Sequence, residues 1–128
     1  MYALVNDVES YPEFLPWCSD SRLHESHEER LRASLTLKAG KLAYTFTTEN
    51  TMQPDRLITI RLVEGPFREL TGSWQFEDLG DNRCFIRLNM RFEFKNRLVK
   101  MALAKTFNRI LNSLVDAFTQ RACELYGR

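Results

Sequence analysis

Through the middle of the chain, apolar and polar residues alternate one by one, which predicts antiparallel strands that each bury one face. The clearest case is residues 84–94, where every even-numbered residue is apolar and all but one of the odd-numbered residues are polar or charged. Related strand patterns occupy residues 31–38, 41–46, 57–63 and 67–76, and turn-forming Gly, Pro, Asp and Asn residues separate them. We therefore expect a meander of strands.

After residue 96 the spacing of the apolar residues changes from two to about 3.6, which predicts one long helix. Leu103, Phe107, Ile110 and Phe118 share one face, and Asn96 can cap the start. The helix would span about 28 residues. Antiparallel strands followed by one long helix are typical of an α+β fold, in which a curved sheet grips the helix and the two bury each other's apolar faces.

The beginning of the chain has a different pattern. Residues 2–7 favour a short helix, and Pro12 and Pro16 then interrupt the helix and predict a loop. This loop, YPEFLPWC, is rich in aromatic residues, although loops are usually polar. Its side chains either cover the core or form a gate over a pocket or a contact for a partner.

Length and composition indicate one ordinary globular domain over residues 1–128, with 44% hydrophobic and 27% charged residues. The three cysteines are widely spaced and odd in number, so we expect free thiols in a reducing compartment. We see no signal peptide and no apolar run long enough to span a membrane. We therefore predict a cytoplasmic protein, with peripheral contact at the inner membrane as an option.

The residues that usually carry catalysis are sparse. His24 and His27 are the two histidines, and they lie in the charged stretch LHESHEERL, where exposed polar positions explain them better than a metal site does. Cys18 follows Trp17 and has no placed histidine to activate it. We find no nucleophile elbow, phosphate-binding loop or dinucleotide fingerprint. We therefore expect no enzymatic activity, no metal and no cofactor.

Apolar volume is the first candidate for function. The inward residues of the strands and the helix either fill the core or line a pocket, which aromatic and Met side chains do well. The residues of this set are Leu35, Leu37, Tyr44, Phe46, Leu70, Trp74, Leu88, Met90, Phe92, Leu103 and Phe107. Tyr11, Tyr44 and Trp74 could also direct a polar group at the head group of a ligand.

Basic surface is the second candidate. Residues 83–128 contain ten bases and three acids, whereas residues 1–50 have a net charge of −3. The basic set consists of Arg83, Arg87 and Arg91 on the outward face of one strand, and Lys95, Arg97, Lys100, Lys105 and Arg109 in a stretch without acids. These residues are either a solvated face or a contact for RNA phosphates or anionic lipid head groups.

Three motifs together resemble one known family. They are VNDVESYPEFLPWC at residues 5–18, GPFRELTGSWQF at residues 65–76 and FEFKNRLVKMALAKTF at residues 92–107. In combination they are similar to the coenzyme Q-binding START-like proteins, labelled polyketide cyclase/dehydrase-type, and to their bacterial branch of ribosome-association toxins. The resemblance covers nearly the whole chain.

The resemblance implies a helix-grip fold of the START/Bet v 1-like type, with an apolar tunnel for ubiquinone or a similar polyprenyl lipid in support of respiration. By the resemblance, the family's functional residues correspond here to positions in the matching motifs. They are Tyr11, Phe14, Leu15 and Pro16 in a gate, Phe67 and Trp74 on the sheet, and the helix segment 92–107. For the bacterial branch it implies binding to the large ribosomal subunit, which blocks subunit joining. We predict lipid binding first, ribosome binding as the alternative, and a small cyclase or dehydratase as a lesser alternative.

One departure from the family concerns the sheet. Family members begin with a strand ahead of the segment that matches residues 1–7, so the first strand is missing from this chain. That strand normally pairs with the last one. We therefore predict six strands, with residues 84–94 at a sheet edge that either pairs with the strand containing His24 or supports a homodimer.

Overall fold

The computed structural model describes residues 1–80 and 83–126, together with their side chains except at positions 83, 84, 125 and 126. The chain begins with helix α1 (Tyr2–Asn6), a 3₁₀ turn (Val8–Ser10) and helix α2 (Tyr11–Phe14). Six strands follow: β1 (Cys18–Ser26), β2 (Arg30–Ala39), β3 (Leu42–Gln53), β4 (Leu57–Glu64), β5 (Phe67–Gly80) and β6 (Arg83–Phe94). Helix α3 (Arg97–Tyr126) is the last element.

The six strands form one curved antiparallel sheet in the order β1-β2-β3-β4-β5-β6. The prediction of six strands in the described ranges is confirmed, and so is the place of residues 84–94 at a sheet edge. The edge strands β1 and β6 do not pair with each other in the described structure, so the pairing of residues 84–94 with the His24 strand is not observed. A homodimer through the β6 edge stays a prediction.

Helix α3 covers the inner, concave face of the sheet, as the 3.6-residue spacing predicts. Leu103 is fully buried and Phe118 is 1% exposed, and both face the sheet. The helix begins where it was expected to begin, because the side-chain oxygen of Asn96 accepts a hydrogen bond of 2.9 Å from the backbone N–H of Val99. Sheet and helix thus form two layers around one core.

The alternation of side chains along the strands separates an inner and an outer face. In β6, Leu88, Met90 and Phe92 point inward, while Arg87 and Arg91 point outward. Gly72 lies opposite Met90 in the sheet, and a Cβ atom at Gly72 would lie 2.5 Å from the Met90 sulfur. Gly72 therefore lets β6 and β5 pack closely on the concave side.

Candidate functional site

A cavity lies between the concave face of the sheet and α3. Tyr11 and Trp17, from the aromatic stretch that precedes β1, line the cavity at one side. The free volume is about 80 Å³. Pockets that hold drug-sized ligands are larger, with about 300 Å³ or more. The structure therefore has a narrow cavity under the predicted gate.

About half of the predicted ligand-binding residues line this cavity. They are Tyr11, Leu35, Leu37, Phe46, Leu70, Trp74, Met90 and Phe107. The remaining ones, which do not line it, are Phe14, Leu15, Tyr44, Phe67, Leu88, Phe92 and Leu103. The alternation of residues along a strand identifies the inward face but does not show which inward residues border empty space.

Several residues outside the cavity form a separate part of the core. The ring of Phe107 lies 5.0 Å from the ring of Phe67 and 4.8 Å from the ring of Phe92, measured between centroids. Leu103 packs fully buried on the same side of the helix. At this end of the sheet, aromatic rings fill the space between sheet and helix, so Phe67, Phe92 and Leu103 do not border the cavity.

Two buried polar residues, which the alternating pattern does not predict, also line the cavity. Thr48 and Asn50 lie on the inner face of β3, and the Thr48 hydroxyl donates a hydrogen bond of 3.1 Å to the Asn50 side-chain oxygen. The predicted strand ended at Phe46 because the following residues, TTENT, are polar on both faces. The missed lining residues of α3 are Ile110, Leu111, Leu114 and Phe118, and the others are Val8, Trp17, Ala33 and Ile60.

The residues predicted as a gate are packed against α3. The Tyr11 hydroxyl donates a hydrogen bond to the backbone oxygen of Val5. Burial, with smaller contributions from Cys18 and Asp7, raises the pKa of Tyr11 above its usual value. The hydroxyl therefore donates its proton within the protein, and its predicted role towards the head group of a ligand stays a prediction.

Ionic and aromatic contacts fix the same segment to the end of α3. A guanidinium nitrogen of Arg121 donates a hydrogen bond of 3.0 Å to a Glu13 oxygen, and the guanidinium carbon of Arg121 lies 5.1 Å from the centre of the Phe14 ring. Phe14 also packs against Phe118, with 5.2 Å between ring centroids. Pro16 is exposed and borders the groove beside these residues, while Leu15 is 1% exposed.

The structure separates the predicted basic residues into three groups. Arg87 and Arg91 are exposed on the outer face of the sheet, which faces away from α3. Arg97 and Lys100 border a groove between the β6 edge and the helix. Lys95 is exposed in the connection, Lys105 and Arg109 are exposed on α3, and the side chain of Arg83 lies outside the described part. The basic residues therefore do not form one continuous face.

The described residues offer little catalytic chemistry. Among them, no group of three His, Cys, Asp or Glu side chains could hold a metal ion. His24 shares a hydrogen bond of 2.7 Å with the Ser34 hydroxyl. Burial, only partly offset by backbone hydrogen bonds, raises the pKa of the Cys18 thiol to about 11, so this thiol is a weak nucleophile at neutral pH. No described helix is long and apolar enough to cross a membrane.

A curved antiparallel sheet around one long helix, with a cavity between the layers, defines the helix-grip class. Solved structures share this fold. The Zhui aromatase/cyclase from Streptomyces sp. R1128 superposes with a TM-score of 0.83 at 18% identity, over 94% of this chain and 83% of that chain. A START superfamily protein from Mycobacterium smegmatis gives a TM-score of 0.69 at 19% identity, over 93% and 87% of the two chains.

The chain belongs to the polyketide cyclase/dehydrase and lipid transport family, whose sequence profile matches residues 1–119. It is 48% identical to the ribosome association toxin RatA of Pseudomonas aeruginosa, over 99% of this chain and 88% of that protein. It is 41% identical to the protein of the same name from Escherichia coli, over 99% and 80%. A mitochondrial coenzyme Q-binding protein, COQ10, from Drosophila melanogaster is 30% identical over 94% of this chain and 51% of its own length.

Proposed function

We propose that this chain is a non-enzymatic protein that associates with the ribosome, binds the large subunit and hinders subunit joining. The observation that carries this proposal is the 48% identity, along nearly the whole chain, to a protein named ribosome association toxin. The proposal reverses the order of the two functions predicted from the sequence. Such a role places the chain in the cytoplasm.

Two features of the structure support a function on the surface. The cavity has a volume of only about 80 Å³, whereas pockets for drug-sized ligands have about 300 Å³ or more. Arg87 and Arg91 are exposed on the outer face of the sheet and can meet a phosphate backbone without rearrangement. Among the described residues that line the cavity there is no carboxylate and no histidine, so the structure offers no acid and base pair for a cyclase or dehydratase.

Sedimentation of the purified chain with isolated ribosomal subunits tests the proposal. We expect it to move with the large subunit and not with the small one, and to reduce the formation of joined ribosomes when magnesium is raised. A variant with Arg87→Glu, Arg91→Glu and Lys105→Glu should lose this binding, because each substitution replaces attraction to phosphate by repulsion. Binding that survives all three substitutions would contradict a contact through these basic residues.

A control with the same change of charge separates a specific contact from general repulsion. Arg22, Lys38 and Lys41 are exposed on β1, on β2 and in the turn that follows β2. The triple variant Arg22→Glu, Lys38→Glu and Lys41→Glu should keep binding to the large subunit. If both triple variants lose binding equally, only net charge matters, and the assignment to these residues fails.

A second candidate function is the binding of an apolar lipid in the cavity. The observation in its favour is a lining that is apolar except for Thr48, Asn50 and the polar tips of Tyr11, Trp17 and Trp74. Mass spectrometry of an organic extract of the purified protein tests it. A quinone in one-to-one ratio with the chain would establish the lipid role. An extract without any lipid, from protein made in cells that contain quinone, would remove this candidate.

A further inference from the structure

The outer face of the sheet carries arginines that strand pairing places in one row. In the strand register, each residue of this row lies opposite the next one on the neighbouring strand. From β2 to β6 the row is Arg32, Glu49, Arg61, Thr71 and Arg91. Four strand spacings of about 4.8 Å separate β2 from β6, so the row is roughly 19 Å long. These residues are far apart in the sequence, and only the register of the sheet brings them together.

A second row lies beside the first. It is formed by Arg30, Thr51, Thr59, Ser73 and Asn89, which the same strand pairs bring into register. Arg87 belongs to the next row and is also exposed. The convex face thus alternates guanidinium groups with hydroxyl and amide groups. We call the two rows together with Arg87 the arginine face.

The arginine face has a net positive charge. Glu49 is its one acid, and its two carboxylate oxygens accept bonds of 3.2 Å from Arg32 and 2.7 Å from Arg61. These two arginines orient each other through the shared carboxylate. Within the described part of the chain, no carboxylate lies within ion-pair distance of Arg87 or Arg91. Five arginines and one glutamate leave a net charge of +4.

The chemistry of the face selects among anionic partners. Neither of the two rows contains an apolar or aromatic side chain, and the exposed ring of Phe85 lies beside them, where the guanidinium carbon of Arg87 is 5.4 Å from its centre. Membrane-binding surfaces insert apolar groups, and proteins that bind single-stranded nucleic acid stack bases on aromatic rings. Helical RNA, by contrast, is recognised through its phosphates and ribose hydroxyls across a wide and shallow minor groove. A convex face with arginines between Thr, Ser and Asn side chains matches that groove in shape and in chemistry.

We propose that the arginine face binds a helical segment of RNA through its phosphates and ribose hydroxyls. The inference rests on the proposed ribosome association and adds which surface and which form of RNA carry it. It assigns roles to Arg30, Arg32 and Arg61, which the sequence alone does not connect with Arg91. The basic residues of α3 then stay outside the contact.

The test measures fluorescence anisotropy of a labelled RNA duplex of sixteen base pairs at several salt concentrations. For the unchanged chain, a plot of the logarithm of the association constant against the logarithm of the salt concentration should have a slope of about −3 to −4. Each phosphate that the face neutralises contributes about one unit. The variant Arg61→Gln/Arg91→Gln should reduce the steepness by about two and weaken binding at least tenfold at 0.1 M salt. A control, Lys38→Gln/Lys41→Gln, has the same charge change and should bind as the unchanged chain does.

A third variant, Lys105→Gln/Arg109→Gln, tests the competing surface on α3. If it loses duplex binding and Arg61→Gln/Arg91→Gln does not, the inference is overturned while ribosome association stands. Equal binding to a single strand of the same sequence, or preferred binding to anionic lipid vesicles, would also overturn it. Sedimentation of the same variants with large subunits distinguishes the two proposals: if the unchanged chain binds the duplex but no subunit, the proposed function fails and the arginine face does not.

Discussion

Replacing Phe118 by alanine is the most informative test of the packing between helix and sheet. Phe118 is 1% exposed and lines the cavity. Its ring centroid lies 5.3 Å from that of Tyr11, 5.2 Å from that of Phe14 and 5.3 Å from that of Trp74, each in an edge-to-face arrangement. The side chain therefore joins α3 to both the segment before β1 and the sheet.

The expected cost follows from the volume that is removed. Replacing a phenyl group by a hydrogen opens roughly 100 Å³, and at about 24 cal/mol per Å³ the new space costs about 2.4 kcal/mol. Loss of the transfer free energy raises the total to about 3–5 kcal/mol, the usual range for a buried Phe→Ala change. The space would join the existing cavity of about 80 Å³, so little collapse is expected and the upper half of that range applies.

Urea unfolding followed by tryptophan fluorescence measures this loss, because Trp74 contacts Phe118 directly. Leu98→Ala is a suitable control on the same helix, since Leu98 is 78% exposed and should change the free energy of unfolding by less than about 0.5 kcal/mol. If the variant is too unstable to measure, Phe118→Leu should lose about 1–2 kcal/mol. A loss below about 1.5 kcal/mol for Phe118→Ala, at an unchanged m-value, would refute the described packing.

Three further predictions concern single residues. Gly72→Ala should lower the free energy of unfolding by about 1–3 kcal/mol, because its Cβ would meet the Asn89 backbone oxygen at 2.8 Å; unchanged thermal unfolding would contradict this. Iodoacetamide at pH 8 should label the exposed Cys123 and spare Cys18, whose pKa is raised to about 11; peptide mapping shows which thiol reacts. The hydrogen bond from Arg32 and the charges of neighbouring arginines lower the pKa of Glu49 from 4.5. The ionised Glu49 therefore stabilises the fold above pH 4.5, and this contribution is lost as the pH falls through the lower folded-state pKa. In Glu49→Gln, the free energy of unfolding should depend less on pH in this acidic range, and an unchanged dependence would refute this.

Much of the fold follows from the spacing of apolar residues. The inward positions of β6 and the buried stripe of α3 lie where the sequence places them, and Asn96 caps the helix as expected. The end of β3 was missed, because Thr48 and Asn50 are polar although they lie on the inner face. A polar residue that borders a cavity breaks the pattern on which strand prediction depends.

The residues of the candidate site were harder to predict from the sequence than the fold was, for two physical reasons. Which inward residues border the cavity depends on how far α3 lies from each strand, and periodicity carries no such distance. Which basic residues share a surface depends on strand register and on the side of the sheet. Lys105 follows Arg91 closely in the sequence but lies in the helix layer, whereas Arg61 is thirty positions before Arg91 and shares its row.

The two candidate functions make different demands on the structure. To reach about 300 Å³, the cavity would have to expand several-fold from about 80 Å³, for example by a movement of α3 away from the sheet. Such a movement exposes side chains like Leu103 and Phe118, at about 1.5–3 kcal/mol each, unless the ligand takes their place. The arginine face needs no movement, because its arginines already lie on the outside of the sheet. A ligand that opened the cavity would thus have to replace the lost contacts, whereas a partner of the outer face would meet side chains that are already exposed.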